Sequence, residues 1–244
     1  MTPDRGNGAP SAGGRRARRP RGSLTREAVV EAALAIVDAE GVESLSMPRL
    51  ARRLDAGVMT LYGYVRDKQE LLDAVAMRAI AEVRVARLDV ADRQEILLNW
   101  GRGMRAVLLV HPGVAGVLAR RAVVGTGIFR GVETLLGPLR RKGFDAEGAA
   151  RAIYAVLIYT LGFVMWETPR VREQPASAYA AQWREGFARL PEGQFPHVAA
   201  ALPYLGTLAS EEQFELGLQA LVVGLGRADA TACPDVEAPA QPPE

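Results

Sequence analysis

Apolar residues recur at helical spacing along most of the chain, and no stretch keeps the strict alternation of a β-strand. The first clear stripe contains Val29, Ala33 and Ile36. Thr25 is placed to cap the start of this helix, and Gly41 to end it. Later stripes are separated by further glycine and proline residues. The pattern therefore predicts an all-α protein of about nine or ten helices.

The two ends of the chain differ from the part between them. Residues 1–22 and 229–244 are rich in glycine, proline and alanine without periodicity, which predicts disordered tails, the first of them an arginine-rich arm. Residues 23–86 contain short helical patterns and residues 87–228 longer ones. We therefore predict a small N-terminal domain with a connecting fourth helix, followed by a larger helical domain.

Two short helical patterns, at residues 47–54 and 58–64, are separated by a three-residue turn. With the preceding helix they have the arrangement of a helix-turn-helix, in which one short helix enters the major groove of B-DNA. Leu61 and Val65 are spaced to anchor this helix to a core. Short helices joined by tight turns are also common in other α proteins, so spacing alone leaves both interpretations open.

The outward positions of such a groove-binding helix are Val58, Met59, Thr60 and Tyr64. Contact with thymine methyl groups would explain an apolar Val-Met pair on an exposed helix. The alternative is that Val58 and Met59 complete a small helical core.

The formal net charge of +2 conceals an uneven distribution, since residues 1–85 hold 14 Lys/Arg against 11 Asp/Glu. The excess lies in residues 1–26, where seven arginines face Asp4 alone. Such a block is typical of a segment that binds a polyanion, either DNA or an anionic membrane. The alternative is a solvated tail that only aids solubility.

Few residues are suited to metal or acid-base chemistry. One cysteine, Cys233, excludes a disulfide framework, and two histidines exclude a His-rich metal site. No phosphate loop, nucleophile elbow or paired acid and base occurs, which argues against an enzyme. We expect neither metal nor cofactor. The longest charge-free apolar run, residues 152–166, would span only about 22 Å as a helix, so we expect a cytoplasmic protein without a membrane span.

The N-terminal motifs resemble the DNA-binding domain of the tetracycline repressor (TetR) family. The similarity covers residues 24–72 without a gap, and is carried by residues 24–34, 38–41, 45–47, 50–51, 60–65 and 68–72. It implies that residues 58–64 form the recognition helix, that Val58, Met59 and Thr60 hold the positions that read bases or contact the backbone, and that Tyr62, Tyr64 and Lys68 hold positions used on phosphate or a base edge.

Three positions depart from the family pattern. Asp55 stands at the usual turn glycine, and Gly57 at the usual Ser/Thr N-cap of the recognition helix. Pro48, which has no donor, stands where the family can carry a base-reading arginine. Operator preference is therefore expected to depend on the recognition helix and the arginine-rich arm.

Residues 111–115, 135–144 and 214–221 resemble, more loosely, the larger regulatory domain of the same family. The resemblance implies a helical bundle that holds an effector pocket and a dimer interface. Neither histidine stands where a magnesium-chelated ligand would need it, so the metal of the founding member is not expected here.

Two helices have apolar residues on more than one side. Residues 211–226 carry two apolar stripes, and residues 146–166 are apolar nearly all round, which indicates burial on both sides. Pairing of these helices with a second copy would form a four-helix interface; the alternative is the core of a monomer. The predicted interface consists of Ile153, Leu157, Phe214, Leu218, Leu221 and Leu225.

The middle helices carry large residues that can line a pocket or fill a core. The predicted pocket consists of Trp100, Met104, Phe129, Tyr159, Phe163 and Trp166, with Trp183 and Phe187 as further candidates. Together they suit an apolar, aromatic ligand. The sequence thus predicts a homodimeric repressor that an apolar effector releases from double-stranded operator DNA. The alternatives are an all-α enzyme and a helical interaction protein that has lost DNA binding.

Overall fold

The computed structural model describes residues 24–85, 92–121, 123, 125–171, 176–191 and 193–228. In these residues the chain forms eleven α-helices and no β-strand, which confirms the all-α prediction. The predicted arm over residues 1–22 and the predicted tail over residues 229–244 lie outside the described residues. The helices are α1 (Arg26–Glu40), α2 (Met47–Arg53), α3 (Val58–Leu61), α4 (Lys68–Ile80), α5 (Arg93–Val110), α6 (Pro112–Arg120), α7 (Thr126–Arg141), α8 (Ala146–Val171), α9 (Ala176–Ala188), α10 (Pro196–Leu205) and α11 (Glu211–Ala228).

Side-chain caps fix the starts of the N-terminal helices. The Thr25 hydroxyl accepts from the N–H of Ala28 at 3.1 Å at the start of α1, and Ser46 caps α2 in the same way. Asp67 accepts from the N–H of Glu70 at 2.8 Å at the start of α4. Each cap satisfies an N–H that has no partner within its helix, so short local sequences determine where these helices begin.

One continuous apolar core runs through both parts of the chain. It includes Val29 of α1, Leu50 of α2 and Leu71 of α4 in the N-terminal part, and Leu108 of α5 and Val156 of α8 in the C-terminal part. The four N-terminal helices are therefore packed onto the C-terminal helices and not only tethered to them.

The central helix of the C-terminal part is α8, which packs against α5, α6, α7, α9 and α11. It is also the one described helix that is long and apolar enough to cross a membrane, with a mean hydropathy of 1.6 over its most apolar window. Its packing against five other helices is that of a central helix in a folded bundle.

The junction between the two parts is made by α6, which packs against both α1 and α4. Gly113, in the first turn of α6, lies so close to α1 that an added Cβ would stand 2.3 Å from the carbonyl oxygen of Val37. Only glycine permits this approach of one backbone to another.

Polar contacts complete the same junction. His111, between α5 and α6, places Nδ1 2.7 Å from the Asp38 carboxylate and Nε2 3.3 Å from the Glu82 carboxylate. A protonated imidazole donates to both, whereas a neutral one donates to one. Burial raises the pKa of Asp38, an effect that the hydrogen bond with His111 partly offsets. His111 thus contacts α1 and the segment after α4 together.

Candidate DNA-binding surface and effector cavity

The turn before α3 contains Asp55 and Gly57, two of the three residues that depart from the family pattern. Asp55 adopts the left-handed conformation with φ 50°, and is the only described non-glycine residue with a positive φ. Aspartate tolerates this conformation better than most residues do, although less well than glycine. Gly57 caps α3 without a side-chain hydrogen bond. The turn is therefore formed as the helix-turn-helix interpretation predicts.

The two sides of α3 differ sharply in exposure. Leu61 and Val65 are buried in the core, as predicted for its anchors. On the other side Met59 is 81% exposed, and Thr60 and Tyr62 are exposed beside it. An exposed methionine on so short a helix leaves an apolar surface uncovered by the described residues of the chain.

Two of the residues predicted to point outward from this helix, Val58 and Tyr64, are partly buried instead. Val58 is half-buried and packs against the core. Tyr64 is also half-buried, and its hydroxyl donates to the carbonyl oxygen of Leu24 at 2.8 Å. Tyr64 follows the end of α3, where the chain turns back toward the start of α1, so the outward orientation predicted for it is wrong. It holds α3 against α1.

Lys68 is the first residue of α4, beside N–H groups of the helix start. No carboxylate of the described residues pairs with it. The nearby Glu70 is engaged elsewhere, because Arg66 donates to it from its backbone N–H at 2.8 Å and from its guanidinium at 3.1 Å. These bonds hold the pKa of Glu70 below its usual value. Lys68 is therefore a cation at a helix N-terminus, an arrangement suited to phosphate.

Two exposed arginines near this surface were not singled out from the sequence. Arg52 and Arg53 end α2, next to the turn, and neither pairs with a carboxylate of the part of the chain that the structure describes. Their position directly before the turn of the helix-turn-helix could have indicated from the sequence that they lie near the DNA-binding surface.

A cavity of about 950 Å³ lies between α4, α5, α6, α7 and α8. Trp100 and Met104, two of the six residues predicted for the effector pocket, line it. The other apolar lining residues include Met77 and Ile80 of α4, Leu118 of α6, Ile128 and Leu135 of α7, and Ile153, Leu157 and Leu161 of α8. The cavity is of the size that holds a drug-sized ligand.

Four residues predicted for the pocket lie elsewhere, so these predictions are wrong. Phe129 projects from α7 and is 62% exposed. Tyr159 and Phe163 pack on Phe214 of α11, with ring centroids 5.5 and 5.3 Å from it. Trp166 lies against Tyr179 of α9. Since α8 is apolar on several sides, Tyr159, Phe163 and Trp166 face α11 and α9. Ile153, Leu157 and Leu161 face the cavity instead.

The residues predicted for the dimer interface line the cavity or pack against the core of the same chain. Ile153 and Leu157 line the cavity. Phe214 and Leu218 are almost fully buried, and Leu221 and Leu225 pack against the same core. The other stripe of α11 is the exposed one. The large exposed apolar residues of the two helices are Leu216 and Val223 on α11, and Tyr154, Ile158, Met165 and, at its edge, Trp166 on α8.

The further pocket candidates Trp183 and Phe187 line a second hollow of about 410 Å³, beside Val198 of α10. No group of three or more His, Cys, Asp or Glu residues that could hold a metal ion occurs among the residues described.

Ion pairs link α5 to its neighbours α8 and α11. Arg102 of α5 donates to Glu215 of α11 at 2.7 Å, which holds the pKa of Glu215 below its usual value. Arg105 of α5 pairs with Glu167 of α8 at 2.7 Å, and both side chains are largely buried. Removing one partner of such a buried pair lowers the stability of the fold, because the other charge is left buried without compensation.

A helix-turn-helix with one exposed apolar face, packed on a helical body that contains a ligand-sized cavity, defines a ligand-responsive, DNA-binding transcriptional regulator. The sequence matches the family model "Bacterial regulatory proteins, tetR family" over residues 29–75. It also matches the model "Tetracyclin repressor-like, C-terminal domain" over residues 88–228. The chain belongs to the tetracycline repressor family of transcriptional regulators.

Relatives and solved structures agree with this assignment. The HTH-type transcriptional repressor DrrR1 of Streptomyces coeruleorubidus is 30% identical over 223 residues, which cover 87% of this chain and 81% of the relative. Tetracycline repressor protein class D of Escherichia coli is 30% identical over 207 residues, or 82% and 88% of the two chains. The crystal structure of the Streptomyces coelicolor TetR family protein ActR in complex with actinorhodin has a TM-score of 0.75 and 29% identity, and covers 85% of this chain and 99% of that one. The chain is accordingly a ligand-responsive, DNA-binding repressor.

Proposed function

We propose that this repressor acts in the cytoplasm as a homodimer, which leaves its operator when an effector fills the 950 Å³ cavity. The observation that carries the proposal is the position of α4. This helix begins at Lys68, beside the exposed face of α3, and Met77 and Ile80 near its other end form part of the cavity wall. We assign DNA binding to residues 23–86, and effector binding and dimerisation to residues 87–228.

On this proposal α3 enters the major groove and presents Met59 and Thr60 to base edges, with Val58 at its half-buried base. Tyr62 and Lys68 contact phosphates and fix the register of the helix, while Tyr64 acts by holding α3 in place. Arg52 and Arg53 add positive charge beside the turn.

The exposed apolar residues of α8 and α11 support an interface between two copies. They recur at helical spacing on each helix, and apolar patches of this kind on soluble proteins mark interaction sites. The proposed interface is formed by Tyr154, Ile158, Met165, Leu216, Ala220 and Val223. Tyr154 and Ile158 also line the cavity, but unlike Ile153 they remain exposed, so the proposed interface adjoins the effector site. Pairing through this face gives a dimer with two α3 helices, one for each half of a palindromic operator. The two helices must then enter successive major grooves, which are about 34–36 Å apart.

The effector acts through the separation of the two α3 helices. A ligand that contacts Met77 and Ile80 biases the tilt of α4, and a tilt changes the distance between the recognition helices. The ligand must bind the wrongly spaced state more tightly, because equal affinity for both states would shift nothing. A coupling free energy of roughly 1–3 kcal/mol is typical of such systems.

Lys68→Ala is expected to weaken binding to every DNA sequence and to reduce the slope of log affinity against log salt by about one unit per protomer, since one phosphate contact is lost from each. The measurement is a titration of the variant with a duplex selected from a random pool by the wild-type protein, at several salt concentrations.

The matched control is Lys142→Ala, because Lys142 is the other lysine of the chain and is exposed at the end of α7. It should leave both affinity and slope unchanged. Equal slopes for Lys68→Ala and wild type would contradict the phosphate contact and, with it, the proposed orientation of α3 on DNA.

A further inference from the structure

The charged residues that line the cavity are all of one sign. Arg84, Arg120, Arg121 and Arg130 line it, and no Asp, Glu, Lys or His is among the described lining residues. Given the cavity's proposed role as the effector site, we infer that the effector is an apolar molecule with one carboxylate, and that Arg130 and Arg84 bind this carboxylate.

Two of the four arginines already have acidic partners in the N-terminal part of the chain. Arg121 lies 3.2 Å from the carboxylate of Asp73 on α4, and also donates to Gln69. Arg120 pairs with Glu43, between α1 and α2. These two arginines hold the end of α6 to the DNA-binding part, and their charge is compensated there.

The other two arginines lack such compensation. Arg84 donates to the carbonyl oxygen of Ala81 at 3.1 Å, and neither it nor Arg130 is paired with a carboxylate of the residues that the structure describes. Both are exposed, so both guanidinium groups are accessible to a ligand at the cavity. A guanidinium presents its N–H groups in a planar fork that matches the two oxygens of a carboxylate.

The remaining wall defines the rest of the ligand. Trp100, Met104, Leu135 and Leu161 give the cavity a broad apolar surface, and about 950 Å³ is far more space than a small inorganic anion fills. An anion alone would leave this surface in contact with water, whereas a fully apolar molecule would gain nothing from the two accessible guanidinium groups of Arg84 and Arg130. A molecule with an apolar body and one carboxylate satisfies both parts of the wall.

The test uses a matched pair of fluorescent probes, 1-pyrenebutanoic acid and its neutral carboxamide, titrated into the full chain at pH 7.5. The two differ in charge but hardly in shape or apolar area. We expect the acid to bind wild type roughly tenfold more tightly, because a hydrogen-bonded charge pair is replaced by weaker neutral contacts in the amide. Arg130→Gln and Arg84→Gln should each reduce this preference, and the double variant should abolish it with little change in amide affinity.

The control is Arg140→Gln, since Arg140 is exposed on the same helix as Arg130 but does not line the cavity. It should keep the full preference for the acid. Equal binding of acid and amide to wild type, or a preference that survives in the double variant, would overturn the inference while leaving the cavity intact as an effector site. Failure of both probes to bind would contradict the effector site itself, while the DNA-binding assignment would still be decided by the Lys68→Ala titration.

Discussion

Gly113→Ala is expected to lower the midpoint of thermal unfolding by about 2–12 °C. The added methyl carbon would stand 2.3 Å from the backbone oxygen of Val37 and 2.5 Å from its Cγ1. A backbone oxygen has no alternative rotamer, so α6 and α1 must move apart. Overpacking of this kind costs about 1–3 kcal/mol, and a protein of this size loses roughly 2–4 °C per kcal/mol. Scanning calorimetry at fixed protein concentration measures the effect, because the stability of a dimer depends on concentration.

Gly116→Ala, in the same helix, is the matched control. A Cβ there would meet Val42 Cγ1 at 3.7 Å, an ordinary contact. The change should leave stability unaltered or raise it by about 0.5–1 kcal/mol, since alanine favours the helix. If Gly113→Ala were as stable as Gly116→Ala, the close approach of α6 to α1 would be disproved.

Leu216→Arg is expected to split the dimer and thereby to abolish specific operator binding. Leu216 projects from the exposed stripe of α11, where two copies would bring two guanidinium groups into an apolar interface without partners. A monomer binds one half-site, so operator affinity should fall toward the non-specific level, roughly 10³-fold or more below the specific one. Sedimentation equilibrium gives the mass, and a DNA titration of the same sample gives the affinity.

Val110→Arg tests whether the position or the substitution is responsible. Val110 is 64% exposed and Leu216 63%, but Val110 ends α5, outside the proposed interface. Val110→Arg should therefore remain dimeric and bind the operator as wild type does. A Leu216→Arg protein that sediments as a monomer and still binds the full operator with wild-type affinity would contradict the spacing mechanism; one that remains a dimer would contradict the interface.

Local interactions explain why the N-terminal part could be predicted closely from the sequence. Thr25, Ser46 and Asp67 each cap a helix by bonding to an N–H three residues further on, and the conformations of Asp55 and Gly57 depend on the turn itself. Such signals lie within a few residues of the structure they determine.

Tyr64 could not be placed in this way, because its partner Leu24 lies 40 residues away in the chain. The same limit applies to the C-terminal part, where α11 carries two apolar stripes of similar composition. Packing against α5 and α8 buries the stripe with Phe214 and Leu218, and leaves the one with Leu216 and Val223 exposed. Nothing within α11 distinguishes them.

The shared use of α4 has a thermodynamic consequence. Lys68 and Met77 are separated by only about 14 Å along this helix, at ~1.5 Å per residue. On the proposed function, operator and effector therefore act on opposite ends of one short helix. In a closed cycle of binding equilibria, the factor by which the effector weakens operator binding equals the factor by which the operator weakens effector binding. Operator DNA therefore opposes effector binding. Protein that is already bound to an operator responds only at a higher effector concentration than protein free in solution.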